Sequence, residues 1–487
     1  MQQAISAGHE TTLAVAKEIL LAKGNAFDAA IAAHFAMFIT EPCMASAGGN
    51  GFALTRTSKG DIHFFDFFCQ TPINKKTLNG LDFYPVKIDF GSDSEIFHVG
   101  LGAAAVPGSI AGVFEMHRRF GTIPMKELVQ PAIQLAKEGV PLDAFQAFDF
   151  QLLEPIFKQD PNVKDIFFKP DGRIKEEGDL IQMSGMADFL TFISIEGERG
   201  FYQGEIAKKI ANDSQQRGGF LTRADFENYQ VNVLDPLKFN YKNRIIYLPN
   251  GPSKGGAMLA MMLSQVNENE SSLALAIEKT QSLVADESKI KTHLGQLIPN
   301  NNFRFQPSIS SNRGTSHFNI LDRWGNAVSL TSSIGEGCGY FIPDTNMQLN
   351  NMLGEIFLLP DGAHSWEPNT RLHSMMTPTM VTQKNGDLEF IAGSGGAGRI
   401  PFAIGQVIFQ LYEKQKNLRQ STESPRVHFQ EGKFQIEKGF DFFLDKENAV
   451  FWNKLGMYFG GVHSIFNDGK KLEAIGDIRR NGVAEVF

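Results

Sequence analysis

The sequence predicts a mixed α+β protein, because segments with helical periodicity and segments with strand-like alternation occupy different parts of its 487 residues. Thr11–Lys23 and Ala26–Thr40 carry apolar residues at helical spacing. Thr315–Leu321 and Ala327–Ser333 alternate as strands do, and a turn-forming segment lies between them. Hydrophobic residues make up 42% of the chain and charged residues 21%, which suffices to bury a core without disulfides or metals.

The two opening helices are bounded by residues with clear end preferences. Gly24 is a good C-terminal stop for the first helix, and Asn25 can cap the second, which has Asp28 in its first turn. The second helix is expected to end at Glu41-Pro42, because the residue before a proline avoids the helical conformation.

A hairpin and a helical region follow. After a glycine cluster at 48–51, Phe52–Arg56 and His63–Phe68 predict two strands joined by a turn. The middle of the chain is expected to be mainly helical, and the pattern is clearest in Ser109–Phe120 and Met125–Glu138.

The later part of the chain combines polar sequence with further strands. Residues 267–310 are polar with short helical pieces, and Pro299–Ser311 is expected to be an exposed loop. Leu388–Ala392 predicts a strand that runs into the glycine-rich segment 393–398, and a helix is expected from Ile400.

Composition argues against several classes of function. The 54 acidic and 46 basic residues leave a net charge of −8, and no basic stripe with interleaved aromatic residues indicates nucleic-acid binding. Cys43, Cys69 and Cys338 form no C-x-x-C pair, so neither a disulfide framework nor a metal or redox site is expected. No apolar run is long enough to cross a bilayer. Neither nucleic acid nor a membrane is therefore expected as a partner.

Thr315 opens a predicted strand directly after a loop. A threonine hydroxyl becomes an effective nucleophile when the residue is first in its chain, because its own α-amine then acts as the base. That amine has an unperturbed pKa of about 7.7–8.0, so a sizeable fraction is neutral near pH 7. This chemistry requires cleavage of the bond between Gly314 and Thr315. The simpler alternative is that Thr315 only opens a strand, where threonine is common.

The glycine-rich segment 393–398 lies between a predicted strand and a predicted helix. Its consecutive backbone N–H groups could stabilise an oxyanion. A tight turn and a phosphate cradle are the alternatives, although this segment and residues 251–256 both lack the G-x-x-x-x-G-K-[ST] pattern of nucleotide-binding loops.

An ordered set of short motifs resembles the γ-glutamyltranspeptidase family over nearly the whole chain, about residues 7 to 485. The segment that starts at Thr315 is similar to the start of that family's small subunit. The matching motifs are, in chain order, Gly24–Ala30, Glu41-Pro42 with Gly48-Gly49, Ala105–Gly108, Phe120-Gly121, Pro252-Ser253 with Gly255-Gly256, Thr315–His317, Asp322, Gly325–Val328, Thr331–Ser333, Leu349–Met352, Met376–Thr379, Gly393–Gly396 and Ser424–Arg426. Each motif is weak alone, but the ordered set is highly specific.

The resemblance implies a fold and a mechanism. The fold would be the four-layer αββα sandwich of N-terminal-nucleophile hydrolases. Thr315 would attack an amide carbonyl and form an acyl-enzyme, and its new α-amine would shuttle the proton. Ser333 would support the nucleophile, and the backbone N–H groups of Gly396 and Ala397 would hold the oxyanion. No metal or organic cofactor would be needed.

The resemblance also implies how the chain is divided and what it acts on. Self-cleavage before Thr315 would leave a large subunit, residues 1–314, and a small subunit, residues 315–487, that form one folded unit. The donor would be a small γ-glutamyl amide similar to glutathione, or another acyl amide. Water or an amine would accept the acyl group, and a higher oligomer is compatible with this scheme.

The donor pocket departs from the family pattern. The family holds the donor's α-carboxylate with an arginine in a D-F-R-E-x-x-P-like segment, where this chain has Phe68. Gly335 replaces an asparagine, Met352 a glutamine or glutamate, Glu355 the aspartate that grips the α-amine, and His373-Ser374 a pair of serines. Glu355 keeps the negative charge and Ser374 keeps one hydroxyl. A carboxylate left unpaired beside Phe68 would be costly, because an aromatic ring does not replace a guanidinium fork.

Two interpretations of the donor remain open. Glu355, Ser374 and an unplaced cation bind a γ-glutamyl group, which we favour because the family acts there, or the pocket accepts a different acyl group. A catalytically lapsed binding protein is a further alternative, against which the retained nucleophile motif argues. A nucleotide-dependent ligase is another, resting only on the glycine-rich loops. His317 is expected to be structural, and Cys338 is not expected to be a nucleophile.

The first ten residues lack the basic and apolar pattern of a secretory signal. The sequence as given is therefore expected in the cytoplasm. If an export signal has been removed from it, the periplasm or the exterior of the cell is expected instead.

Overall fold

The computed structural model describes residues 2–89, 94–267, 269–284, 287–298, 314–355, 359, 362–441 and 447–487. The α-helices of these residues are α1 (Glu10–Leu21), α2 (Ala26–Thr40), α3 (Ser109–Phe120), α4 (Met125–Leu128), α5 (Gln130–Glu138), α6 (Ala144–Phe157), α7 (Lys164–Phe167), α8 (Ser184–Glu196), α9 (Glu198–Tyr202), α10 (Glu205–Arg217), α11 (Arg223–Glu227), α12 (Lys254–Gln265), α13 (Glu270–Val284), α14 (Glu287–Leu297), α15 (Ile400–Tyr412) and α16 (Leu418–Glu423).

The strands are β1 (Ala4–Ala7), β2 (Asn50–Arg56), β3 (Ile62–Phe67), β4 (Tyr84–Asp89), β5 (Ser94–Val99), β6 (Val140–Pro141), β7 (Leu180–Ile181), β8 (Asn232–Leu234), β9 (Leu237–Tyr241), β10 (Arg244–Leu248), β11 (Thr315–Leu321), β12 (Ala327–Ser333), β13 (Phe341–Ile342), β14 (Met347–Gln348), β15 (Thr379–Gln383), β16 (Leu388–Gly395), β17 (Val427–Gln430), β18 (Lys433–Ile436), β19 (Ala449–Phe451), β20 (Gly461–Asn467), β21 (Leu472–Ile475) and β22 (Val483–Val486).

Two antiparallel sheets form the centre of the described structure. One has the strand order β22-β1-β11-β12-β2-β3-β8, and the other has the order β21-β20-β16-β15-β10-β9. The sheets contact each other through β11 and β12 on one side and β16 and β20 on the other. Helices α1 and α2 contact the first sheet, and α12 and α15 contact the second. The fold therefore belongs to the mixed α/β class that the sequence predicts.

The local predictions are confirmed where the end signals are strong. Asn25 and Asp28 form a complete capping box, so α2 begins at Ala26 as expected, and it ends at Thr40, directly before Glu41-Pro42. The strands that flank the predicted turn, β11 and β12, have the predicted bounds. The predicted helix over 125–138 is two helices, α4 and α5, with Pro131 at the start of the second. The loop predicted at 299–311 lies outside the described residues.

The buried hydrophobic residues form two clusters. One gathers α1, α2 and the helices of the middle of the chain, and the other joins α12, α15 and the second sheet. Every residue of α2 is buried, which explains why this helix is apolar on all sides. In the described part of the chain, no helix is both long and apolar enough to cross a membrane.

Candidate active site

Thr315 and Ser333 face each other across the antiparallel pair β11 and β12. Their Cα atoms are register partners, and both residues are only 2% exposed. The Thr315 hydroxyl donates a hydrogen bond to Ser333 Oγ at 3.3 Å. Thr315 is the first residue of β11 and Ser333 is the last residue of β12. The sheet therefore fixes both side chains at the point where the chain enters β11.

The Ser333 hydroxyl also contacts the peptide bond that precedes Thr315. Ser333 Oγ donates to the carbonyl oxygen of Gly314 at 2.7 Å and accepts from the N–H of Gly335 at 3.1 Å. A continuous chain of hydrogen bonds thus runs from the Thr315 hydroxyl through Ser333 to the Gly314 carbonyl. This arrangement can pass a proton from the attacking hydroxyl toward the carbonyl that it attacks.

Gly314 occupies a place where a larger residue does not fit. A Cβ atom added there would lie 1.8 Å from the carbonyl oxygen of Gly335 and 3.0 Å from that of Cys43. The close approach of these backbones, rather than an unusual dihedral angle, explains the glycine before Thr315.

The glycine-rich segment lies against the backbone of Thr315. It begins in β16, and a Cβ atom added to Gly395 would lie 2.3 Å from the Thr315 carbonyl oxygen. Gly396 and Ala397 follow with φ angles of +122° and +59°, and the chain then enters α15. The structure therefore brings the predicted oxyanion segment beside the predicted nucleophile. That the N–H groups of Gly396 and Ala397 hold an oxyanion stays a prediction.

Glu355 lies close to Gly335, whose backbone N–H donates a hydrogen bond to Ser333 Oγ. A Cβ atom on Gly335 would lie 3.1 Å from Glu355 Oε1 and 2.1 Å from Asn351 Oδ1, so a side chain at this position would fill the space beside the carboxyl group. Glu355 is 1% exposed, and burial together with the neighbouring Glu336 carboxyl raises the pKa of Glu355 well above its usual range. Met352, one turn earlier, is fully buried in the second hydrophobic cluster.

Phe68 is part of a buried aromatic group. Its ring lies 5.3 Å from that of Phe52, and it is 1% exposed. The nearby cation Arg371 is already engaged, because it donates to the Phe68 carbonyl oxygen and lies 3.2 Å from Asp66 Oδ2. The guanidinium also stacks over the ring of Tyr229 at 4.6 Å. Arg371 therefore does not stand in for the arginine that Phe68 replaces.

Ser374 and His373 adjoin a buried lysine. The Ser374 carbonyl accepts a hydrogen bond from the backbone N–H of Lys254 at 2.8 Å, and Ser374 Oγ accepts from the N–H of Met376 at 3.1 Å. Ser374 is 7% exposed, whereas His373 is half-buried. Lys254 is 1% exposed, and burial lowers its pKa to about 7. The sequence motif around Lys254 gave no reason to assign it to the donor pocket.

Sequence reasoning missed several charged groups that lie near Thr315. Arg480 Nη1 donates to the Thr315 carbonyl oxygen at 3.3 Å. Glu41 accepts hydrogen bonds from the hydroxyls of Ser316 and Thr12, and burial raises its pKa to about 7. Asp149 is 5% exposed, and burial raises its pKa to about 7 as well. One feature of the sequence could have drawn attention to Asp149: it is a charged residue between two phenylalanines on the apolar helix α6.

Two other residues of interest are structural in this arrangement. The imidazole of His317 is fully buried between Thr331 Oγ1 and Asn319 Oδ1, each 2.9 Å away, and burial lowers its pKa to about 3. Cys338 is fully buried, and burial raises the pKa of its thiol to about 12, so it stays protonated at neutral pH. Both observations agree with the expectations from sequence.

Within the part of the chain that the structure describes, no group of three or more His, Cys, Asp and Glu side chains could hold a metal ion.

Comparisons with known proteins agree with this geometry. The family model described as gamma-glutamyltranspeptidase matches residues 12–292 and 276–487. A glutathione hydrolase proenzyme of Bacillus subtilis is 28% identical over 545 aligned positions, which cover 99% of this chain and 90% of that protein. An acylase ACY 1 proenzyme of a Pseudomonas species is also 28% identical, with 88% and 83% covered. The crystal structure of a cephalosporin acylase from Bacillus halodurans shares the fold, with a TM-score of 0.82, 21% identity, and 99% and 95% of the two chains covered.

Proposed function

The chain belongs to the γ-glutamyltranspeptidase family, as its motifs indicate, and from that premise we propose that it cleaves itself before Thr315 and then uses Thr315 as its nucleophile. It is an enzyme of the γ-glutamyltransferase and hydrolase type. The observation that carries the proposal is the chain of hydrogen bonds from the Thr315 hydroxyl through Ser333 to the Gly314 carbonyl oxygen.

Self-cleavage begins with attack of Thr315 Oγ on the carbonyl carbon of Gly314. Ser333 accepts the hydroxyl proton of Thr315 and donates its own proton toward the carbonyl oxygen, so charge does not build up on the buried peptide. The C–N bond then breaks, the nitrogen of Thr315 takes a proton, and an ester joins Gly314 to Thr315 Oγ. Water hydrolyses that ester and leaves the carboxylate of Gly314 and the free amine and hydroxyl of Thr315.

After self-cleavage, the hydroxyl of Thr315 would also attack amide donors. The free α-amine of Thr315 takes the hydroxyl proton, because an α-amine with a pKa near 8 is partly neutral at pH 7. The hydroxyl oxygen forms an acyl-enzyme, and the N–H groups of Gly396 and Ala397 stabilise the oxyanion. Water or an amine then releases the acyl group. The two sheets and their flanking helices would form the four-layer αββα sandwich of N-terminal-nucleophile hydrolases, divided into residues 1–314 and 315–487.

We propose a γ-glutamyl amide as the donor. Glu355 lies beside Gly335 and offers a buried carboxyl to the donor's α-amine. The backbone N–H of Lys254 donates to the Ser374 carbonyl, and in this proposal the Ser374 hydroxyl and the buried Lys254 amine, in its protonated form, bind the donor's α-carboxylate. In this proposal, Lys254 supplies the positive charge that the family's arginine would carry at the position of Phe68. The names of the similar proteins, glutathione hydrolase among them, support this donor.

A different acyl amide is the second candidate, and the position of Phe68 favours it. The ring is buried against Phe52, so the family's carboxylate site is apolar here. A pocket of this kind suits an acyl chain without a free carboxylate, and a similar protein is named an acylase.

Two measurements test the proposal. The intact mass of freshly purified protein, taken under denaturing conditions, should show two fragments divided between Gly314 and Thr315, and a Thr315→Ala variant should remain one chain. A panel of chromogenic amides then separates the donors: best turnover of the γ-glutamyl amide supports the first candidate, and best turnover of a simple acyl amide supports the second. An uncut wild-type chain after long incubation would contradict the mechanism.

A further inference from the structure

A small cavity lies beside the peptide bond that the enzyme is proposed to cut. Its volume is about 20 Å³, and its lining includes Gly314, Asp149, Glu336, Cys43 and Met457. A cavity needs roughly 10–15 Å³ to hold one water molecule, which also needs polar partners. The carboxyl groups of Asp149 and Glu336 and the backbone of Gly314 supply such partners. The cavity therefore has room for one water molecule beside Gly314, with Asp149 and Glu336 as the acidic residues of an otherwise mainly apolar lining.

Asp149 is a buried carboxyl in this cavity, on an otherwise apolar helix. It is 95% buried on the apolar helix α6, and among the described residues its Oδ2 atom has no hydrogen-bond partner. Buried polar atoms in native proteins nearly always have a partner, and a carboxyl group without one is costly. Ordinary helix packing does not account for such a residue, whereas a water molecule in the cavity would satisfy it.

The surrounding charges set the basicity of Asp149. Burial raises its pKa, the Asp143 and Glu41 carboxyls raise it further, and Arg480 lowers it, with a net value of about 7. The thiol of Cys43 also faces it, and that thiol stays protonated because burial raises its pKa. A carboxyl with a pKa near 7 is well matched to accept a proton from water at neutral pH.

We propose that Asp149 is the general base that activates the water molecule completing self-cleavage. The inference rests on the proposed function, in which an ester between Gly314 and Thr315 Oγ has already formed. Asp149 takes a proton from the water as the water oxygen bonds to the ester carbonyl carbon. The carbon–Oγ bond then breaks and Thr315 Oγ takes a proton. The products are the carboxylate of Gly314 and Thr315 with a free amine and hydroxyl.

The neighbouring carboxyls are placed for other roles. Glu41 accepts hydrogen bonds from Ser316 and Thr12, and it does not line the cavity. Glu336 lines the cavity, but it also interacts with Glu355 in the donor pocket. Asp149 is thus the carboxyl that both borders the scissile residue and stands apart from the donor pocket.

The test compares self-cleavage of the full chain in the wild type, Asp149→Asn and Glu154→Gln by a time course of intact mass. Asparagine has the shape of aspartate but accepts no proton, so Asp149→Asn should slow cleavage about 10²-fold or more. Glu154→Gln is the matched control, because it makes the same carboxyl-to-amide change on the same helix, at a half-buried residue that pairs with Lys158 and does not line the cavity. Its cleavage rate should stay near that of the wild type.

Hydroxylamine separates a role in ester hydrolysis from a structural role. It attacks esters far faster than amides, so it should cut Asp149→Asn at the ester and leave a hydroxamate on Gly314. Thr315→Ala, which forms no ester, should remain intact in hydroxylamine. The wild-type rate should also rise with pH through a midpoint near 7, and that titration should be absent from the residual rate of Asp149→Asn.

Two results would overturn the inference while leaving the proposed function intact. Asp149→Asn could cut itself as fast as Glu154→Gln, or it could stay uncut and resist hydroxylamine, which would place Asp149 before ester formation or in the folding of the chain. A wild-type chain that never cuts itself would instead overturn the proposed function, and this inference with it.

Discussion

Replacing Gly314 by alanine tests the geometry of self-cleavage with the addition of one methyl group. The Cβ atom would lie 1.8 Å from the carbonyl oxygen of Gly335. Real Cβ atoms essentially never approach closer than 3.0 Å, so the two backbones must separate by more than an ångström. The Gly314 carbonyl is held at 2.7 Å from Ser333 Oγ, and the same hydroxyl accepts from the N–H of Gly335. Either segment can move only by disturbing that hydroxyl.

The size of the effect follows from this displacement. A misplacement of about 1 Å at a reacting centre costs about 10²-fold in rate, so Gly314→Ala should slow self-cleavage by about 100-fold. Overpacking of this kind also destabilises by about 1–3 kcal/mol, which a domain of ordinary stability tolerates. The uncut variant should therefore be folded but inactive.

The assay is the time course of intact mass, with circular dichroism to verify folding. Gly295→Ala is the matched control, because a Cβ atom there meets nothing within 4 Å and alanine suits the interior of α14. It should cut itself like the wild type. Self-cleavage of Gly314→Ala at the wild-type rate would show that the contact with Gly335 does not hold the scissile carbonyl, and the reasoning would be wrong.

Three further predictions follow from the site. Ser333→Ala should slow self-cleavage about 10²–10³-fold in the same mass assay, because it removes the donor to the Gly314 carbonyl, and Ser333→Thr should recover much of the rate. Lys254→Met should raise KM for a γ-glutamyl amide about 10-fold or more but leave KM for an amide without a carboxylate unchanged; equal changes in steady-state kinetics would remove Lys254 from the donor pocket. Glu41 has a pKa of about 7 in the folded chain, above the ordinary value of 4.5, so the folded state holds its proton more tightly and stability falls as pH rises from about 4.5 through 7. In an uncut Thr315→Ala background, Glu41→Gln should reduce that loss by about 3 kcal/mol between pH 5 and pH 8 in urea unfolding, and an unchanged loss would contradict the assignment.

The sequence predicts most of the elements that position the nucleophile. The strands β11 and β12 and the helix α2 have the expected bounds, because alternation, capping residues and a proline stop are local signals. The antiparallel pairing of two strands joined by a short turn then places Thr315 opposite Ser333. The choice of Thr315 as nucleophile depends on the family motifs, since a threonine at the start of a strand is common.

The donor pocket could be predicted only in part. The family motifs point to Glu355 and Ser374, and the structure places Glu355 beside Gly335. They also show that Phe68 stands where the family has its carboxylate-binding arginine. They do not point to Lys254, which we propose as a donor-pocket residue, because its proximity to Ser374 depends on the packing of two segments that are distant in the chain. Nor do they show that Arg371 is engaged by Asp66.

By itself, the sequence determined the local elements and the family, and it predicts a cleavage site before Thr315, because all of these depend on short stretches of chain. Only the tertiary structure decided what surrounds the bond to be cut. Asp149 comes from α6, Glu41 follows α2, and Arg480 lies near the C-terminal strand β22, yet all three lie close to Thr315 or to its neighbours in the chain. The pKa of a carboxyl depends on burial and on charges brought close by long-range packing, and no local pattern in the sequence encodes either.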